Sequence, residues 1–191
     1  MVWASKTARW LTRTGLSPGR VTSGRCPGWT AMLPRLGSTG VGASVRVRVV
    51  LAVGNRLRGD DAVGPRIADG IRATDELRVF DAGLSPENYL GPVMAAGPDA
   101  VLIVDACDFG GVPGEYRLCG REELALLSAG SVSTHTLPLS LVVAMLEQQL
   151  SARIEFLAIQ PGTLAFDAPL SEPVAAALPG LVALVRRWAS D

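Results

Sequence analysis

From residue 45 onward, short apolar runs alternate with stretches of helical period, and no other feature of the sequence restricts the fold as much. Residues 45–53 read VRVRVVLAV, an alternating and then continuous β-branched run that stops at Gly54 and Asn55, as a buried strand entering a tight turn does. Residues 77–80 form a second, shorter run ending at Asp81, Ala82 and Gly83, and residues 100–104 a third ending at Asp105. After the turn signal Pro113 and Gly114, residues 115–118 can extend, and residues 153–159 supply a fifth run.

Helices are expected in the gaps. Asp60 and Asp61 open one, with Pro65 in its first turn and Val63, Ile67 and Ile71 at every fourth position along one face. Another begins near Ser85 and Pro86. Thr136 can cap a helix whose first turn holds Pro138 and whose apolar face is Leu139, Val142, Val143, Leu146 and Leu150. In the last helix Val174, Leu178, Leu181, Val185 and Trp188 keep the helical period, and a kink is expected at Pro179 and Gly180. Strands alternating with helices predict an α/β, three-layer sandwich: a mainly parallel, twisted sheet of about five strands with helices on both faces.

Length and charge narrow the class. A chain of 191 residues suits one domain with a sizeable core. Its apolar content of 48% and net charge of zero exclude general disorder and give no reason to expect a nucleic-acid partner. The charge is unevenly placed: residues 1–59 carry ten Lys and Arg and no acid, while residues 60–191 set 18 acids against eight bases, a formal charge of −10.

Residues 1–44 are rich in Gly, Ser, Thr, Pro and Arg, hold three of the four Trp and show no sustained period; they read as a basic, disordered extension to a domain at 45–191. Such a leader resembles an organelle transit peptide without the apolar core of a secretory signal, or reflects an upstream start on a frame that begins near Met32. Cys26, Cys107 and Cys119 fall in no CxxC or CxxH spacing, so neither a disulfide framework nor a cysteine zinc site is expected, and a reducing cytoplasm is the natural setting. No apolar run reaches the 18 or so residues of a membrane span.

In an open α/β sheet the ligand crevice lies beyond the carboxyl ends of the strands. Asp60 and Asp61 follow the first run, Asp81 ends the second and Asp105 the third, while His135, the single histidine, stands in a Ser and Thr stretch just before a helix. Two carboxylates and one imidazole can bind a borderline divalent ion such as nickel or zinc and leave positions open for substrate or water. The same aspartates are also ordinary cap and turn formers. The loop GNRLRGDDAVG fails the GxGxxG spacing, and its paired acids would repel a pyrophosphate. No GxSxG elbow within residues 45–191 marks a serine hydrolase. Cys107, two residues after Asp105, is a nucleophile only if something activates it, and otherwise a small buried hydrophobe.

Five stretches together resemble the hydrogenase maturation endopeptidases, in particular the branch serving formate-hydrogenlyase-type hydrogenases: VLAVGNRLRGDDAVGP from Val50, DAGLSPEN from Asp81, VLIVDACDFGGVPGEYRL from Val101, STHTLPLS from Ser133 and FLAIQPGTLAFDAPLSEPV from Phe156. The resemblance implies metal ligands at Asp61, Asp105 and His135, with support from Asp60 and Asp81; the family's DGG-like turn reads DAG here, Ala82 replacing a glycine. It further implies an endopeptidase that removes the C-terminal extension of a nickel-iron hydrogenase large-subunit precursor. The nickel would arrive on the substrate as its recognition signal, and zinc or cadmium could stand in for it. A cytoplasmic monomer is expected. The rival expectations are a non-catalytic nickel checkpoint or chaperone using the same ligands, and a related metallopeptidase with a resident metal and another substrate.

Overall fold

In a computed structural model of the chain, residues 46–120, Glu123 and residues 138–191 are described. Strands β1 (Arg48–Val53), β2 (Leu77–Gly83), β3 (Ala100–Ala106), β4 (Tyr116–Cys119) and β5 (Arg153–Ile159) form one sheet in the order β2-β1-β3-β5-β4. All pairings are parallel except β4 with β5, which is antiparallel. The α/β, three-layer architecture expected from the alternation is the one observed.

Helices α1 (Val63–Asp69), α2 (Leu90–Ala96), α3 (Leu139–Gln149) and α4 (Glu172–Ser190) cover the two faces. Every residue of β1 is buried, because successive side chains enter opposite cores. Val49, Leu51 and Val53 join Val101, Ile103 and Phe156 beneath Val93 of α2 and Val142, Val143 and Leu146 of α3. Val50, Leu102, Val104 and Leu157 meet Val63 and Ile67 of α1 and Val174, Leu181, Val185 and Trp188 of α4 on the other face.

Several boundaries differ from the local pattern. Asp60 and Asp61 precede α1 in a separate 3-10 turn, Gly59–Ala62, and α1 ends before Ile71. A second 3-10 turn, Pro86–Tyr89, leads into α2. Strand β4 starts one residue later than expected and reaches Cys119, which faces the core. The cap expected from Thr136 falls outside the described residues; Pro138 is the N-cap of α3. Helix α4 runs unbroken through Pro179. Pro179 and Ala175 are both exposed, so the carbonyl that loses its N–H partner faces water, which can serve it instead.

The position of α1 depends on one glycine. A Cβ on Gly64 would overlap the Val53 carbonyl oxygen and crowd that of Val104, so α1 lies against the carboxyl ends of β1 and β3 with no room for a methyl group. Gly64→Ala is therefore expected to cost about 3 kcal/mol, lowering Tm by about 6–12 °C for a domain of this size. Thermal unfolding followed by circular dichroism tests this, and an unchanged Tm would remove the close-approach argument.

Candidate active site at the carboxyl ends of the strands

Strand β1 connects through α1 to β2 on one side, and β3 lies on its other side, so the chain changes direction between β1 and β3. In open α/β sheets ligands bind at such a switch point. The residues that follow β1 and those at the end of β3 flank it.

Gly54 follows β1 at φ +132°, and a Cβ there would overlap the Asp61 carbonyl oxygen, so the backbone of Asp61 folds back over the strand that precedes it. The amide of Asp61 donates to the Arg58 carbonyl at 3.0 Å. Asp61 is 2% exposed and Asp105, the penultimate residue of β3, 5%. The 3-10 turn carrying Asp61 packs against β3. Two nearly buried carboxylates thus stand at the ends of adjacent strands.

Asp60 is wholly buried, and its position explains how the turn is held. Its Oδ2 accepts from the amides of Gly162 (2.7 Å) and Thr163 (3.0 Å) and from Ser171 Oγ (2.7 Å), and Oδ1 accepts from the Ser171 amide at 2.6 Å. The Asp60 amide donates in return to the Thr163 carbonyl at 2.9 Å. One side chain therefore fastens the turn after β1 to the loop after β5 and to Ser171, the N-cap of α4. This is a tether for the residue next to Asp61.

Gln160, at 6% exposure, does the same between β3 and β5. Its Oε1 accepts from the amides of Phe109 (2.9 Å) and Gly111 (3.0 Å), and its Nε2 donates to Asp108 Oδ1 at 3.0 Å. That bond, with a second from the Gly110 amide, holds the Asp108 carboxyl below its ordinary range. Local pattern does not single out Gln160; the available signal is an amide side chain between the apolar run 156–159 and the turn residues Pro161 and Gly162.

Asp81 faces a different partner. Arg56 donates to both oxygens of Asp69 at 2.8 Å, and its Nε and Nη2 reach Asp81 Oδ2 at 3.0 and 2.8 Å. The side chains are 38–50% exposed, so this bridge ties the ends of α1 and β2 at the rim for little net stability. The hydrogen bond from Arg56 is also what lowers the Asp69 pKa. Ala82, where the resemblance leads one to expect glycine, is skipped in the β1–β2 register, is buried and has no positive φ, so an alanine fits. Gly83 takes the left-handed conformation instead, at φ +55°.

His135 lies outside the described residues. Among the described residues no group of three or more His, Cys, Asp or Glu is placed to hold a metal ion. Cys107 is buried in the α2 and α3 core, and burial first, then Asp105 and Asp108, push its thiol up to about 11. A thiol so far above neutrality holds almost no thiolate at pH 7. The larger of the cavities at the other end of the sheet, about 770 Å³ and lined by Arg46, Arg48, Arg72 and Arg186, is remote from these aspartates.

The sequence profile of the hydrogenase maturation protease family matches residues 63–188. The chain belongs to that family. The hydrogenase 3 maturation protease of Escherichia coli is 33% identical over 142 residues, which cover 73% of this chain and 89% of that protein. The crystal structure of the NiFe hydrogenase maturation protease HycI from Thermococcus kodakarensis superposes with a TM-score of 0.67 at 31% identity, covering 78% of this chain and 96% of that one. The hydrogenase maturating endopeptidase HybD of E. coli gives a TM-score of 0.65 at 25% identity, covering 73% and 89%. As a hydrogenase maturation protease the chain is a peptidase, a hydrolase of peptide bonds. No helix among its described residues is long and apolar enough to cross a membrane.

Two outcomes follow for this protease. Asp60→Ala strands three amides and a hydroxyl and is expected to cost about 3 kcal/mol, read as a lower urea midpoint and faster proteolytic nicking between residues 161 and 171; an unchanged midpoint would deny the tether. Cys107→Ala is expected to keep peptidase activity within about twofold, since a buried neutral thiol is no nucleophile, and a loss beyond tenfold with an intact fold would restore Cys107 as a reacting group.

Proposed function

We propose that this peptidase removes the C-terminal extension of a nickel-iron hydrogenase large-subunit precursor after nickel has been loaded, and that Asp61, Asp105 and His135 read the nickel the precursor carries. The observation that carries this reading is the pair Asp61 and Asp105, nearly excluded from water at the ends of adjacent strands β1 and β3. A carboxylate shielded from water attracts a cation more strongly than an exposed one, because the solvent screens it less. Oxygen donors from both, with one imidazole nitrogen, suit nickel, and zinc or cadmium can take the same set.

The chain path favours His135 as the third donor. Leu139 opens α3 in the same core cluster as Cys107, which follows Asp105 by two residues. His135 lies four positions before Leu139, a reach of about 14 Å at most.

Nickel already bound to the precursor would be completed in its coordination by these three side chains, which fixes the scissile peptide in register. A precursor without the ion forgoes those bonds and is not positioned. Hydrolysis then needs a water oxygen added to the peptide carbonyl carbon, its proton taken up by a carboxylate and returned to the leaving amine as the C–N bond breaks. Membership of a peptidase family favours cleavage by this chain over a checkpoint that leaves cutting to another protein.

Asp61→Asn, Asp105→Asn and His135→Ala are each expected to lower processing at least about 100-fold while leaving the circular dichroism spectrum unchanged. The mass of the large subunit, followed after mixing with nickel-loaded and nickel-free precursor, reads the outcome: loss of the C-terminal peptide only from the loaded form. Full processing by the His135→Ala variant, or of the nickel-free precursor, would overturn the reading.

A further inference from the structure

Two loops at this end of the sheet display apolar side chains to solvent. Leu57, between β1 and Asp61, is 56% exposed; Leu164 and Phe166, between β5 and α4, are 36% and 73% exposed. Single exposed hydrophobes are ordinary, and only their grouping is informative. The Asp167 amide donates to the Leu57 carbonyl at 2.7 Å, and Arg58 Nε donates to the Leu164 carbonyl at 3.2 Å, so the loops are bonded at the residues that carry the patch.

The display is rigid. Gly59 donates to the Ala168 carbonyl, Asp60 exchanges backbone and side-chain bonds with Thr163, and Asp167 is held at φ +56°, in the left-handed region that a non-glycine residue adopts at some cost. Three apolar side chains are thus kept out of a core by a fastened backbone instead of folding inward. A surface ordered beforehand loses little freedom on binding.

Size and place select the occupant. Together the exposed parts amount to roughly 300 Å², well short of the ~800 Å² per partner that a stable dimer interface buries. A second copy of the chain is therefore poorly served, whereas a few residues of extended peptide are well matched. The patch begins four residues before Asp61 and is tied to it through Asp60, so a peptide lying across it continues directly into the candidate site.

We infer that Leu57, Leu164 and Phe166 form a specificity-determining grip for an apolar segment of the precursor chain next to the bond that is cut. The inference rests on the proposed reading of the adjoining site. The grip holds the substrate before and during cleavage alike, so its loss weakens binding without slowing the chemical step.

The test is steady-state processing of nickel-loaded precursor by the double variant Leu57→Ser with Phe166→Ser, alongside precursor binding by calorimetry. Expected are a KM and a dissociation constant each raised about tenfold or more, kcat within twofold, an unchanged Tm, and restoration of KM by Phe166→Leu. Unchanged binding by a folded double variant would overturn the grip. So would a concentration-dependent dimer of the parent chain that the variant abolishes, which would give the patch to a second copy. Precursor that binds through the patch but is never cleaved would support the grip and sink the proposed peptidase substrate instead.

Discussion

The carboxyl end of this sheet depends on one buried carboxylate. An unpaired charge in an apolar interior is prohibitively costly, and Asp60 is tolerable only because four donors converge on it. The dependence is mutual, since those donors belong to a loop and a helix start more than 100 residues away in sequence. An asparagine would keep the shape but present an amide group to donors on one side. The charge as well as the geometry is therefore specified, and Asp61 inherits its position from the residue beside it.

Around that tether the scaffold leaves little freedom. Gly54 and Gly64 let the turn and α1 approach the ends of β1 and β3 as closely as backbone allows. Gln160 binds the loop after β3 to the end of β5. Three consecutive strands in the sheet, β1, β3 and β5, thus have their carboxyl-terminal loops cross-connected by side chains that are nearly or wholly buried. At the amino end of the sheet Arg48 donates to the Trp188 carbonyl and lies against its ring, and the Trp188 indole donates to Glu155, so α4 is anchored at both ends of its length.

Much of this was legible in the sequence wherever the signal is local. The run at residues 153–159 coincides with β5 to the residue, and the apolar faces of α3 and α4 follow from helical period. What could not be read were consequences of contacts between distant segments. The expectation that Asp60 and Asp61 open a helix misses the 3-10 turn, because that turn is set by bonds from Thr163 and Ser171. Asp60 and Asp61 are neighbours of one residue type, and only the fold separates the tether from the candidate ligand. Arg56 and Gln160 carry no motif at all. Pro179 does not end α4, because the carbonyl that loses its partner faces solvent, a fact about burial and not about proline. The family likeness lies in several weak motifs in order, GDD, DAG, VDA and STHT, each of which alone is an ordinary turn or cap.

Two kinds of recognition meet at this end of the molecule on the proposed reading, and their strengths complement each other. Donor side chains discriminate a loaded from an unloaded precursor but are nearly blind to the sequence that carries the ion. An apolar grip discriminates sequence but is blind to the ion. Neither needs to be tight, because a substrate held at one point meets the second at high effective concentration. That gain is lost if the two points move independently. Asp60 prevents this, since its carboxylate is bonded to the loop that presents Leu164 and Phe166 while its backbone continues into Asp61. The tether that makes the turn stable is also what would make the two readings of the substrate a single event.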